Sequence, residues 1–297
     1  MFLYIYLLIN IFLFISEFPN ENRMKLKEEV KSWVKDIAEV LITLAVILIV
    51  LRLLLGAHMP VPLVAVVSCS MLHEDDAIGS VSYGLAQVTY PILLDSPCSY
   101  GSRVHKNWVN WKDWIKQRIS GREIEKEIEK FPLKSGFSVG DMILVITPDG
   151  KGTILPFFSE TKIGDVIIFN RDKKTKGNEP IIHRVVGIVR VKNWEIQEIK
   201  GTLDCKTKQN FEEEFIPYVK NCQKGTGRCL YGDFPKESEF EFYITKGDNN
   251  EGTDQCKANM LPVTDAQVTA RGWIRIPYIG WLKLLLNRIL NVFLFFL

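Results

Sequence analysis

From residue 36 to 57 the chain reads DIAEVLITLAVILIVLRLLLGA, apolar on every helical face and uncharged from Val40 to Leu51. A core helix would show an apolar stripe repeating every 3.6 residues. A run of about 20 residues that is apolar all round predicts a transmembrane helix instead. Glu39 and Arg52 lie near its ends, where long side chains can reach the headgroups. Residues 1–16 (MFLYIYLLINIFLFIS) are also apolar, but short for a span and without a basic leader or a small-residue cleavage site. They read either as a first helix or as sequence ahead of a start at Met24. At the other end, residues 278–297 are long enough to span, yet carry Lys283, Asn287 and Arg288 on one face. A C-terminal hydrophobic helix, crossing the membrane or lying on it, fits that pattern.

Between these ends the periodicity changes to that of strands. An apolar run at 63–68 comes after Pro60 and Pro62. MILVI comes after Gly140-Asp141, VIIF after Gly164-Asp165, IIHRVVGIVRV fills 181–191, and FEFYIT fills 240–245 before Lys246-Gly247-Asp248-Asn249-Asn250. Short strands parted by Gly, Pro and Asp turns predict a mainly β domain over 58–277, a coiled antiparallel sheet or partly closed barrel. Two stretches interrupt it, 72–137 and 200–238. The first carries Trp108, Trp111 and Trp114 at helical spacing, which predicts a face packed on the core more readily than an interfacial belt. Ser120-Gly121-Arg122-Glu123 then forms a capping box into the charged helix REIEKEIEK.

Charge sets the orientation. Residues 1–35 comprise the N-terminal hydrophobic stretch and a basic flank. Arg23, Lys25, Lys27, Lys31 and Lys35 of that flank precede the span, so the flank is cytoplasmic and the chain beyond residue 57 lies outside the cytoplasm. The net charge of +2, spread among nearly as many acids, excludes a nucleic-acid footprint. Four histidines and six cysteines without a C-x-x-C pair argue against a metal site, and no cofactor is expected. Outside the cytoplasm thiols pair. Cys222 and Cys229 flank a short Gly-rich loop that could close a ring, although Cys205, Cys222, Cys229 and Cys256 allow three connectivities.

Ser68-Cys69-Ser70-Met71 ends the first strand in two hydroxyls and a thiol. A serine becomes a nucleophile when a base takes its proton and a third group orients that base. His58 and His73 are expected in turns or at the surface, and His105 lies in the first insertion. His183 alone sits inside a β-run. Asp248 and Asp254 lie on the loop after a strand, where a rigid sheet can hold catalytic groups. An Asx turn alone would also explain Asp248. Cys69 reads as a buried inert thiol, or as a reactive one.

Taken together, Ser68-Cys69-Ser70-Met71, Gly140-Asp141, Gly164-Asp165-Val166-Ile167-Ile168-Phe169, Pro180-Ile181-Ile182-His183-Arg184-Val185-Val186, Thr245-Lys246-Gly247-Asp248-Asn249-Asn250 with Asp254, and Ala270-Arg271-Gly272-Trp273 through Pro277-Tyr278-Ile279-Gly280 resemble type I signal peptidase. His183-Arg184-Val185 resembles its archaeal and endoplasmic-reticulum branch. In that family's order these boxes cover residues 36–284 apart from the two insertions. Cys69 stands where a small residue is usual, and His73 where a proline is. The resemblance implies a membrane-bound serine endopeptidase in which Ser70 attacks, His183 is the base and Asp254 orients it. Asp248 is then an alternative third member or the residue that fixes the loop. Ser68 and the Ser70 N–H would form the oxyanion hole. The substrate would lie as a strand against Val64, Val66 and Val67 and be cut after small residues, at Ala-x-Ala sites. Partners so implied are signal-peptide-bearing preproteins, membrane lipid and the protein translocation channel. A competing expectation is a catalytically silent, membrane-anchored β-domain that binds a peptide or partner.

Overall fold

The computed structural model of the chain describes residues 20–55, 61–73, 111–119, 124–137, 139–149, 160–173 and 179–280. The readings made for residues 1–16, His58, His105, Trp108, the 120–123 capping box and the C-terminal apolar segment lie largely or wholly outside these. The chain divides into two units, Met1–Leu51 and Arg52–Leu297.

Helix α1 (Asn20–Leu55) is longer than the predicted span, because it takes in part of the basic flank. No Gly or Pro occurs between Asn20 and Leu55, so nothing in the sequence breaks the helix before Gly56. Its stretch Glu29–Leu55 is long and apolar enough to cross a membrane, and none of its most apolar part is buried. Trp33, Val40, Ile42 and Leu53 are all exposed.

The β-domain is an eight-stranded antiparallel sheet that curls into a half-barrel. Its strands are β1 (Leu63–Ala65), β2 (Met142–Ile146), β3 (Val166–Phe169), β4 (Ile181–Lys192), β5 (Glu195–Gly201), β6 (Phe240–Lys246), β7 (Val263–Thr264) and β8 (Val268–Ile276). They run in the order β1-β2-β8-β3-β4-β6-β7, with β5 added to β4. β4 is the spine: its first residues pair with β3, its later ones with β5, and those from Arg184 to Val191 with β6. It is buried almost throughout, as a strand covered on both faces must be, and its apolar run is correspondingly continuous.

The two insertions supply one of those covers. From the first come α2 (Trp111–Arg118) and α3 (Ile124–Ile128). From the second come α4 (Lys208–Asn210), a π turn (Phe211–Phe215) and α5 (Ile216–Lys224). Trp111, Trp114, Ile115 and Ile128 pack with Phe211, Phe215 and Val219 over Val186, Val189 and Phe242 of the sheet. The tryptophan stripe is therefore core where it is described. Burying each such ring contributes roughly 4–6 kcal/mol before conformational costs. The two Gly-Asp boxes staple strand β8 in place. Asp165 Oδ2 accepts from Arg271 at 2.9 Å, and Asp141 Oδ2 pairs with Arg275 Nε at 2.8 Å.

A short helix, α6 (Asp254–Lys257), comes after β6. The Cys205–Cys256 disulfide ties it to the second insertion, and Cys222–Cys229 closes the ring at the end of α5. Cys69 is disulfide-bonded as well, which corrects the expectation of a free thiol there.

Candidate active site

Residues 66–73 leave strand β1 and turn under the loop after β6. Asn249 N donates to Ser70 O at 2.7 Å, Asn249 Nδ2 to Cys69 O at 3.0 Å, and Asp248 N to Met71 Sδ at 3.4 Å. Met71 is fully buried, and its carbonyl accepts from Phe137 N at 3.1 Å. Three consecutive residues of the serine loop are thus held from outside it. Gly247 is required by this closeness, since a Cβ there would lie 2.8 Å from Ser70 O and 2.5 Å from the Asn250 amide.

His183 is carried by β4 opposite Ile167. Its Nδ1 lies 2.6 Å from Asp254 Oδ2, and the pair is buried. A carboxylate accepts, so Nδ1 carries the proton that faces Asp254, and in a neutral ring Nε2 is then the nitrogen with the lone pair. Thr245 on β6 donates its hydroxyl to the same oxygen of Asp254 at 2.6 Å, and its N–H donates to Gln255 Oε1 at 3.0 Å. The second insertion braces this segment: Thr253 Oγ1 donates to Asp204 Oδ2 at 2.9 Å beside the Cys205–Cys256 bridge. Thr245→Val should keep the fold and weaken the His183–Asp254 contact, because a restraint on the Asp254 carboxylate is lost. The His183 Nδ1 proton, followed by NMR, should exchange about tenfold faster in the variant, and unchanged exchange would deny Thr245 that part.

Asp248 is held quite differently. Arg184, fully buried beside His183, donates Nε to Asp248 Oδ1 at 2.9 Å and Nη2 to Oδ2 at 2.7 Å. His73 Nε2 lies 2.7 Å from the same Oδ2. Burial pushes the Asp248 carboxyl up, but the Arg184 charge and the His73 and Arg184 hydrogen bonds outweigh it. The group is held well below the usual carboxylate range. Trp111 covers the cluster, stacked 4.9 Å from the His73 ring and 4.8 Å from the Arg184 guanidinium.

Of the residues singled out by sequence, the structure brings His183 and Asp254 together and sets Ser70 against the turn that carries Asp248. Ser68 Oγ lies 3.2 Å from Ser70 Oγ; among the described residues no hydrogen bond joins Ser70 to His183. Two expectations are corrected. Val66 does not face a substrate strand: its side chain is buried, and its N–H and carbonyl are taken by Asp141 O and Gly140 N. Val64 is half-buried against the same core, which leaves Val67 as the exposed member of the three. His73 is not a turn or surface residue but a buried partner of Asp248. Thr245, Arg184 and His73 carry site contacts that spacing did not single out. A charge at Arg184 inside an apolar strand was a signal, since such a charge needs a buried partner.

No family model, no curated protein and no solved structure matches the chain.

Proposed function

We propose that the chain is a membrane-bound serine endopeptidase that removes signal peptides from exported preproteins, cutting after small residues. One observation carries this: a buried imidazole hydrogen-bonded through Nδ1 to Asp254, with Nε2 left as a base, on the strand beside the turn that grips the Ser70 loop. A purely binding domain needs no such pair. The other histidine, His73, spends its Nε2 on Asp248 and lies under Trp111, which suits a structural part.

In the proposed reaction Ser70 Oγ attacks the scissile carbonyl as its proton passes to His183 Nε2. Asp254 steadies the imidazolium so formed. The Ser70 N–H and the Ser68 hydroxyl, 3.2 Å from Ser70 Oγ, receive the developing oxyanion. His183 then returns its proton to the leaving amine, and water, activated by the same nitrogen, releases the acyl group. Substrate binding would draw Ser70 Oγ towards His183, since such hydrogen bonds are often long before substrate arrives. Strand β1 lies at one end of the sheet order, where an extended peptide could add beside it. The apolar helix, the basic flank before it and the oxidised cysteines support a domain anchored in the membrane and facing out of the cytoplasm. Preproteins, lipid and the translocation channel are the partners this implies.

The test is cleavage of a reporter preprotein by the purified full chain in detergent micelles. A cut after Ala-x-Ala is expected, lost when the final Ala becomes Phe and absent in Ser70→Ala. Cleavage that survives Ser70→Ala would remove that hydroxyl from the mechanism. No cleavage by the native chain would favour the peptide-binding domain.

A further inference from the structure

We propose that Lys246 is a positioning residue whose ammonium group latches the 247–249 turn against the Ser70 loop, and that losing its proton loosens the nucleophile. The inference rests on the reaction proposed above, in which Lys246 takes no part. Lys246 ends strand β6 opposite Arg184 and is buried. Its Nζ donates to Gly247 O at 3.0 Å and to Asp248 O at 3.2 Å. The amides of this same turn hold the serine loop, through Asn249 N to Ser70 O at 2.7 Å and Asp248 N to Met71 Sδ at 3.4 Å. One charged group therefore fixes the carbonyl side of a turn whose amide side grips the nucleophile. An ammonium has three donors and no acceptor. Once neutral, it keeps two N–H groups but loses the charge that strengthens both bonds.

Among the described residues, four neighbouring segments present groups to this side chain. Asp248 comes from the turn, Asp254 from α6, and Arg184 from β4. Arg118 and the Trp114 ring come from α2, the ring centroid lying 5.1 Å from Nζ. Burial is the strongest influence and lowers the Lys246 pKa to about 8. The two carboxylates pull it back up, while the two arginines push it further down. The latch is thus charged at neutral pH and opens in mildly alkaline solution. Catalysis would then have an alkaline limit set by a residue that never touches substrate.

The experiment tracks two readouts against pH on the purified full chain in micelles: hydrogen-exchange protection of the Asn249 amide, corrected for the intrinsic rate, and kcat for reporter cleavage. In the native chain both should fall about tenfold as one proton leaves near pH 8. Lys246→Arg should hold both through that range, because the guanidinium stays charged. Lys246→Met should be low at every pH with KM unchanged; if it fails to fold, the arginine variant decides. Protection that stays flat above pH 8 in the native chain, or an alkaline loss that persists in Lys246→Arg, would overturn the latch. Should exchange respond as expected while nothing is cleaved, the peptidase proposal fails and the latch stands. Ser70-dependent cleavage with unresponsive exchange would instead uphold the peptidase and end the latch.

Discussion

His183→Ala is expected to lower preprotein cleavage by about 10³-fold or more, as removal of the base from a serine triad does. Ser70 then has no acceptor for its proton, and Asp254 Oδ2 keeps the Thr245 hydroxyl alone of its two partners there. The informative comparison is His73→Ala. Both imidazoles are buried and each touches an aspartate, but through opposite nitrogens. In the proposed reaction His183 keeps Nε2 for the Ser70 proton, whereas His73 has committed Nε2 to Asp248. We therefore expect His73→Ala to lose only about tenfold, through a looser Asp248 and turn. Rates on the reporter preprotein, normalised to folded protein by circular dichroism, separate the two. Equal losses, or the larger loss at His73, would assign the base to the wrong histidine here.

The second large effect is on stability. Arg184 makes five hydrogen-bonding contacts beyond its Nη2 bond to Asp248, including those to Pro132 O at 2.9 Å, Gly164 O at 2.7 Å and Leu133 O at 3.2 Å. Arg184→Met leaves those carbonyls without this donor and the buried Asp248 carboxylate with His73 as its remaining side-chain partner among the described residues. Breaking a buried ion pair from one side costs about 3–5 kcal/mol. In a domain of this size that should lower the thermal midpoint by roughly 10 °C. The double variant Arg184→Met/Asp248→Leu should recover part of the loss, because no charge is then stranded. A double variant no more stable than the single one would show that the pair is not the source. The pH dependence obeys the same logic. Asp248 has a folded pKa below its unfolded one, so its contribution is present above the ordinary carboxylate range and is lost as pH falls towards the folded value. Without Arg184 that loss should begin at higher pH.

How much of this was legible beforehand differs by element. The strands MILVI and VIIF occur at the predicted residues, because Gly-Asp turns mark where each begins and the apolar runs are short. Helix α1 extends further back than its apolar centre, since charged residues with good helix propensity continue it and nothing marks a start at residue 36. Within the site, the family resemblance implies the pairing of His183 with Asp254 across 71 positions, while residue types alone leave Asp248 as an alternative. The fate of Val66 could not be read in that way. Strand alternation gives two faces, but which one is covered depends on Phe137 and Ile143, far along the chain, packing with it. Nor does a sequence say that Trp111 will lie on His73 and Arg184, because that contact needs an insertion helix to pack across a strand far along the chain. Long-range packing is where local pattern stops being informative.

The most direct test of the central claim is a crystal structure of the full chain with a substrate-derived peptide aldehyde bound. We expect a covalent bond from Ser70 Oγ to the aldehyde carbon, with His183 Nε2 at about 2.6–3.2 Å from the serine oxygen or the adduct oxygen. A peptide bound without that bond, or one attached to Ser70 with His183 turned away and another base in its place, would contradict the account.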